Sequence, residues 1–174
     1  MKKISLLAMM ACGFLYAGPL SFESGAIKAH TEVFGDSSID PTAKKAVSKL
    51  SMEEAPTTLR GTIEVSMVDL ISDNKKRDTN MQETLESDTF PKAVFEIKEV
   101  SLKGTSHLLK GTMNLHGVIK PMSFEGTIVQ EGTKIRIKAS SMMKMSDFGI
   151  KPPKMVFLTV RDQVDISVDV LLKR

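Results

Sequence analysis

The pattern of apolar and polar positions is most regular between residues 108 and 128, where it predicts an antiparallel β-hairpin with one apolar face. From Leu109 to Leu115 every second residue is apolar or Gly and the residues between them are polar, which is typical of a strand with one buried and one solvated side. Residues 117–121 contain the Gly and Pro of a turn. The alternation resumes from Phe124 to Ile128, so the sequence predicts that further strands cover this apolar face.

The same alternation recurs along most of the chain and predicts an antiparallel all-β fold. A tight turn at Glu131-Gly132 follows the hairpin, and most other strands are joined by short connections. Seven or eight such strands must either close into a barrel or stack as a sandwich, because a flat sheet would expose its apolar face. The other predicted strands are residues 25–34, 61–67, 93–97, 134–145 and 163–174.

Three glycines within the predicted strands favour the barrel over the sandwich. Gly61, Gly111 and Gly126 each occupy a position whose side chain would point inward. One interpretation is that they permit the sharp coiling that a small barrel needs. The other is that they leave interior volume unfilled. Both interpretations require a barrel.

One helix is predicted over residues 75–86. Asp73 or Asn74 is suited to cap its first turn, and Met81 and Leu85 are spaced to form its buried stripe. The segment 36–58 is ambiguous. Asp40-Pro41 is typical of a helix start, but residues 47–52 fit an extended strand equally well.

The first residues predict export. Lys2-Lys3 precedes an apolar run at residues 4–15 and small residues at Ala17-Gly18, which is the layout of a secretory signal peptide and too short for a membrane span. We predict cleavage after Ala17, a signal peptide of residues 1–17 and one domain of residues 18–174. A lipid anchor on Cys12 is a weaker alternative, because Cys12 lies inside the apolar run.

Composition excludes several functional classes. The single cysteine lies in the predicted signal peptide, so the mature chain has neither disulfides nor thiol chemistry, which fits a bacterial periplasm. The whole chain has a net charge of only +3, including two leader lysines, and no clustered basic stripe. A nucleic-acid partner is therefore not expected.

Several motifs lie in a characteristic order in the last two thirds of the chain. They are RD at 77–78, FPKAVF at 90–95, LHGVIKP at 115–121, MSDFGI at 145–150 and DQVDI at 162–166. On these motifs the chain resembles the YceI-like family over roughly residues 59–172, whereas the segment 36–59 is unlike the common form. The resemblance implies an antiparallel, eight-stranded lipocalin-like barrel with one or two short helices. It also implies that the interior holds a long-chain lipid, such as a polyisoprenoid or a fatty acid or amide.

The predicted ligand site is the inward face of this barrel. Its side chains are apolar, and Met in particular can repack around ligands of varied shape. Simple filling of the core by these side chains is the alternative. The predicted lining residues are Ile63, Val65, Met67, Phe95, Ile97, Gly111, Met113, Leu115, Phe124, Ile128, Ile137 and Phe148.

Charged and metal-ligating residues give weaker signals. Lys76 and Arg77, at the start of the predicted helix, could receive a carboxylate or phosphate head group. Asp147 is the one carboxylate at a position whose side chain is expected to point into the barrel. The chain has no HExxH, GxSxG or paired-Cys spacing. A zinc site and a soft Cu(I) site remain minor alternatives; their candidate ligands are His30, His107 and His116 for zinc, and Met142, Met143, Met145 and Met155 for copper.

The sequence thus predicts a periplasmic protein that binds a long-chain lipid or isoprenoid, does not span the membrane, and uses no metal or other cofactor. The alternative from another class is an enzyme that acts on such lipids or a metal-dependent periplasmic enzyme. Monomer and homodimer are both left open.

Overall fold

The described residues of the chain form twelve strands. They come from a computed structural model that describes residues 18–33, 37–155 and 158–174, so the predicted signal peptide lies outside them. The strands are β1 (Pro19–Val33), β2 (Ser37–Ile39), β3 (Thr42–Ala43), β4 (Val47–Ser51), β5 (Arg60–Ser66), β6 (Lys92–Lys103), β7 (Ser106–Leu115), β8 (Val118–Glu131), β9 (Lys134–Lys144), β10 (Lys154–Met155), β11 (Leu158–Thr159) and β12 (Gln163–Lys173).

Eight of these strands close into an antiparallel barrel. The order around the barrel is β1-β4-β5-β6-β7-β8-β9-β12, and β12 pairs back with β1 from Ser21 to His30. β2 and β3 pair with the C-terminal half of β1, and β10 and β11 form a separate short hairpin. The predicted eight-stranded antiparallel barrel is therefore confirmed. Closure pairs the backbone N–H and C=O groups that the edge strands of an open sheet would leave free.

One α-helix, α1 (Lys75–Thr84), occurs among the described residues, together with short 3₁₀ helices at Pro56–Thr58, Met67–Asp69 and Met145–Phe148. Asn74 caps α1, its side-chain oxygen accepting a hydrogen bond from the backbone N–H of Arg77 at 3.1 Å. The helix thus begins as predicted. Met81 and Leu85 are only half-buried, so the prediction of a buried stripe is wrong. Nor is α1 long and apolar enough to cross a membrane, and the described residues contain no helix that is.

From residue 37 to residue 51 the ambiguous segment is largely extended, because its backbone groups form hydrogen bonds with distant parts of the chain. Ala29 N donates to the Pro41 carbonyl at 3.0 Å, and Thr42 N donates to the Ile71 carbonyl at 2.8 Å. In a helix beginning at Pro41, the Pro41 carbonyl would instead accept from the backbone N–H four residues later.

The central hairpin is tighter than its sequence suggests. Leu115 pairs with Val118, so only His116 and Gly117 form the turn. Both have positive φ, +53° and +74°, as in the two-residue turns that match strand twist. The predicted turn at 117–121 is thus wrong in extent. Pro121 lies within β8, which pairs with β9 only from Glu125 onward, so Pro121 is on a stretch with one free edge.

The three strand glycines mark close approaches between strand backbones. A Cβ added at Gly61, Gly111 or Gly126 would overlap a backbone carbonyl of the neighbouring strand; at Gly111 this is the Glu96 carbonyl. The first interpretation of these glycines, that they permit sharp coiling, is the one the geometry supports. They do not open interior volume.

Replacing Gly111 by alanine should therefore destabilise the barrel by about 1–3 kcal/mol, the usual range for overpacking, because the backbone of Glu96 would have to move. Gly18→Ala is the matched control, since a Cβ at Gly18 would have no atom within 4 Å. Urea unfolding of both variants measures the difference. Equal unfolding free energies would show that β6 and β7 can separate freely here.

Candidate functional site

The barrel encloses a cavity of about 790 Å³. Every barrel strand contributes at least one inward-pointing side chain to its wall. β12 illustrates the pattern, because Val164, Ile166, Val168 and Val170 all line the cavity. The wall is therefore apolar around its whole circumference.

Most of the predicted lining residues are in this wall, and their role in binding a ligand remains a prediction. The ones that line the cavity are Ile63, Val65, Met67, Phe95, Ile97, Met113, Leu115, Phe124 and Ile137. Phe95 and Phe124 face each other with ring centroids 4.8 Å apart in a tilted arrangement, which favours a fixed aromatic pair.

Gly111, Ile128 and Phe148 are not among the residues that line the cavity. Gly111 is directed at the backbone of β6 rather than at open space. Ile128 lies one layer deeper, in the packed end of the barrel. Phe148 is buried in the 3₁₀ helix after β9, and its neighbours Met145 and Ile150 reach the cavity instead.

The cavity is closed at one end by a packed floor. Along β12 the inward residue Val170 lines the cavity, whereas the next inward residue, Leu172, is fully buried below it. β9 shows the same step from Ile137 to Ile135. The floor residues share an exposure of at most 4 % and are Leu20, Met52, Leu59, Val100, Ile128, Ile135 and Leu172.

Several lining residues are not among the predicted site residues. On β1 they are Ile27, Ala29, Thr31 and Val33, whose alternation carries the same signal as that of the central hairpin. Thr31 is polar but satisfied, because its hydroxyl lies 2.9 Å from the Gln163 carbonyl, to which it can donate. The interior therefore remains chemically apolar.

The helix α1 lies over the other end of the cavity. Met81 and Leu85 contribute apolar surface there, and the charged lining residues described in the structure are confined to this mouth. They comprise three cations and one carboxylate: Lys76, Arg77, Lys154 and Glu83. Arg77 is held by a 3.4 Å hydrogen bond from Nη1 to the Ser38 carbonyl and lies 3.9 Å from an Asp73 carboxylate oxygen. The mouth is thus net positive.

The structure places the three histidines in separate environments. His30 is on the outer surface, with Nδ1 2.9 Å from Asp40 Oδ1. His107 Nδ1 accepts a hydrogen bond from the backbone N–H of Ile128 at 3.3 Å. His116 Nδ1 lies 3.2 Å from the Phe148 carbonyl, to which it can only donate. Within the described ranges no three His, Cys, Asp or Glu side chains lie close enough to hold a metal ion.

The candidate copper ligands and the candidate carboxylate are also dispersed. Met143 and Met145 line the cavity, but Met142 is 67 % exposed on the outer surface. Asp147 is exposed and lies 3.7 Å from Lys120 Nζ. The prediction that Asp147 points into the barrel is wrong. Residues 145–148 form a 3₁₀ helix, in which side chains do not alternate between two faces.

His30 gives the outer surface a pH-dependent contact. The hydrogen bond to Asp40, aided by Glu32, raises the pKa of His30 above its ordinary value of 6.5. Its stabilising contribution is then complete below about pH 6.5 and is lost as the pH rises through the raised folded-state pKa.

We therefore expect the wild-type protein to be more stable than His30→Gln at pH 5.5, by at most about 1 kcal/mol for a contact this exposed, and the difference to vanish at alkaline pH. Unfolding at several pH values measures it. The groups that face His30 are Asp40, Glu32 and, from β12, Asp165. A difference that grows with pH would contradict this assignment.

A family model for the YceI-like domain matches residues 23–172. Among curated sequences, a UPF0312 protein of Shewanella oneidensis is 30% identical over 105 residues, which is 55% of each chain. A UPF0312 protein of Pseudomonas putida is 28% identical over 145 residues, covering 78% of this chain and 74% of that protein. The matches thus span between about half and three quarters of these relatives.

Solved structures share the fold at low sequence identity. The crystal structure of BcnA from Burkholderia cenocepacia superposes with a TM-score of 0.76, at 14% identity, over 84% of this chain and 95% of BcnA. The Campylobacter jejuni YCEI protein gives a TM-score of 0.67 at 16% identity, over 100% of this chain and 99% of that one.

Proposed function

Since the chain belongs to the YceI-like family, we propose that it binds a long-chain lipid, such as a polyisoprenoid or a fatty acid or amide, inside the barrel. The observation that carries the proposal is the closed barrel with an apolar cavity of about 790 Å³ and a charged mouth. We further propose that it acts in the periplasm and carries or stores the lipid without changing it.

The size of the cavity argues against the alternative that the inward side chains merely fill a core. Packed interiors contain few voids larger than a water molecule, whereas this cavity lies well within the range of small-molecule sites. Each methylene transferred from water into such a cavity contributes about 0.8 kcal/mol, so a long chain would stabilise the protein by several kcal/mol.

The lining is suited to chains of varied shape. Methionines contribute to the wall at several heights, and their unbranched, polarisable side chains adapt to irregular ligands. The cavity-lining methionines are Met67, Met81, Met113, Met143 and Met145.

The charged residues at the mouth support a binding role rather than catalysis. Glu83 is the one carboxylate among the described lining residues, and it lies on α1, away from the deep interior. Lys76 and Arg77 are placed to receive a carboxylate or phosphate head group, since both line the mouth beside each other on α1.

The test is to purify the protein from the periplasm without detergent and to identify what an organic solvent extracts from it. We expect a lipid with a long apolar chain, and a thermal midpoint that falls on delipidation and recovers on reloading, because a ligand that binds only the folded state stabilises it. Finding no lipid, together with no change in melting on adding prenyl or fatty chains, would overturn the proposal.

Reversing both charges at the mouth, in Lys76→Glu with Arg77→Glu, should weaken binding of a lipid with an anionic head by roughly tenfold, the effect of two partly exposed charge contacts. Binding of the alcohol with the same chain should change little. The matched control is Lys98→Glu with Lys110→Glu, on exposed strand positions outside the cavity. Equal losses for both lipids would contradict a head-group role.

A further inference from the structure

The described lysines differ in their surroundings between the sides of the barrel and its mouth. On the sides most of them pair with a carboxylate, as Lys92 does with Glu64 at 2.9 Å and Lys103 with Glu125 at 2.7 Å. At the mouth end, by contrast, several exposed lysines take part in none of the ion pairs formed within the described residues. They are Lys44, Lys45, Lys75, Lys76, Lys151 and Lys154.

The lysines at 44–45 and 75–76 belong to one continuous surface beside the mouth, because hydrogen bonds join the segments that carry them. The Thr42 backbone N–H donates to the Ile71 carbonyl at 2.8 Å. The Ser72 backbone N–H donates to Asp78 Oδ1 of α1 at 2.9 Å. We call this surface, which comprises residues 44–47, 68–71 and 75–76, the docking face.

Exposed apolar side chains lie on the docking face among these cations. Val47, Val68 and Ile71 are 54 %, 55 % and 55 % exposed. Met67 is buried, and the short 3₁₀ helix at residues 67–69 turns the next residue, Val68, outward. Apolar side chains among cations suit a surface that binds an anionic membrane, because the apolar groups enter the headgroup layer and the cations contact lipid phosphates.

Carboxylates beside the docking face do not cancel its charge. Asp69 and Asp78 are only partly exposed, and Asp78 accepts hydrogen bonds from both the backbone N–H and the hydroxyl of Ser72. Asp73 is exposed but lies 3.9 Å from Arg77 Nη1, so these two charges offset each other. The exposed side chains of the docking face therefore carry a net positive charge.

Resting on the proposed function for the nature of the partner, we propose that the docking face binds the surface of a bilayer that contains anionic lipids, with Val68 and Ile71 in the headgroup layer. A long-chain lipid dissolves sparingly in water, so it is best passed directly between a bilayer and the cavity. The cavity opens beside the docking face, since Lys76 belongs to both. Docking at this surface holds the opening against the bilayer.

Vesicle co-sedimentation of the delipidated protein tests the proposal. We expect binding to vesicles of equal parts phosphatidylcholine and phosphatidylglycerol, much weaker binding to phosphatidylcholine alone, and loss of binding as added salt screens the charges. Equal binding to both kinds of vesicle, or no binding to either, would overturn the proposal. Because the cavity is empty of lipid in this assay, its outcome is independent of the lipid extraction that tests the proposed function.

A pair of lysine substitutions locates the charge that the vesicles contact. Lys44→Gln with Lys45→Gln should weaken binding to the anionic vesicles by roughly twentyfold, since each lysine near such a surface contributes about fivefold. Neither residue lines the cavity, so the affinity for a fluorescent fatty acid should not change. The control is Lys103→Gln with Lys173→Gln, which lowers the net charge equally at the floor end of β6 and β12 and should bind like the wild type. Equal losses in both variants would contradict the docking face.

A second pair of substitutions tests the apolar contact. Val68→Ser with Ile71→Ser should weaken vesicle binding by about tenfold, because fewer methyl and methylene groups leave water on docking. The control is Leu102→Ser with Val129→Ser, at positions that are 67 % and 49 % exposed near the floor, and it should bind like the wild type. Thermal unfolding checks that the variants fold. Unchanged vesicle binding by the folded Val68→Ser, Ile71→Ser variant would overturn the proposal, and its retained fatty-acid binding would leave the proposed function standing.

Discussion

Replacing Val168 by glutamate is expected to abolish lipid binding while the barrel stays folded. Val168 lies on β12, is half-buried and lines the cavity. In the lipid-free protein a carboxylate at this position can remain hydrated, but a bound chain would strip its water. The effective penalty for an unpaired buried ion is several kcal/mol, so binding should weaken by about a thousandfold or more.

Two further variants isolate the effect of the charge. Val168→Gln has nearly the size of the glutamate variant and no charge, so it should retain much more affinity. Ser167→Glu puts the same charge on the exposed side of β12 and should bind like the wild type. Acidification should restore part of the binding to Val168→Glu, because the protonated acid is much cheaper to desolvate. Unimpaired binding by Val168→Glu at neutral pH would place the lipid elsewhere.

Truncating Phe124 to alanine should produce the largest loss of stability, about 3–5 kcal/mol in the lipid-free protein. Phe124 is only 5 % exposed, lies opposite Leu109 in the hairpin and packs against Phe95. Its ring also lines the cavity, so its removal would leave Phe95 without its aromatic partner and enlarge an existing void.

Phe124→Leu is the control, because it keeps most of the volume and should lose less than about 1.5 kcal/mol. Chemical unfolding of the delipidated variants measures both values. A loss below about 1 kcal/mol in Phe124→Ala would show that this part of the wall is loosely packed, contrary to the described geometry.

The barrel itself can be predicted from the sequence because its signals are local. A period of two shows which side of each strand is apolar, and short turns make neighbouring strands antiparallel. Leu109, Met113 and Leu115 are buried on the predicted face for this reason. The capped start of α1 is equally local, since Asn74 and the backbone N–H it binds are three residues apart.

Depth along the barrel axis cannot be predicted in this way. Ile128 and Ile137 are paired neighbours with the same inward phase, yet only Ile137 lines the cavity and Ile128 belongs to the floor. Which inward residue meets which layer depends on strand tilt and stagger around the closed barrel, and these are properties of the whole sheet.

Other side-chain directions could not be predicted because they depend on structure outside the local pattern. The prediction that Asp147 points inward is wrong because a 3₁₀ helix replaces the strand there. Gly111 does not line the cavity because the Glu96 backbone of the neighbouring strand lies against it, and no local pattern specifies that approach. Likewise, the placement of α1 over the mouth depends on tertiary contacts, because every residue of the helix except Met81 is polar and none is fully buried.

The most direct test of lipid binding inside the barrel is an isotope-filtered NOE measurement on labelled protein loaded with an unlabelled prenyl phosphate of four isoprene units. The proposed binding mode predicts NOEs from the chain protons to methyl groups of Leu109, Ile137 and Val170, which line the deep part of the cavity. NOEs confined to exposed methyl groups, such as those of Val47 and Val129, would contradict it.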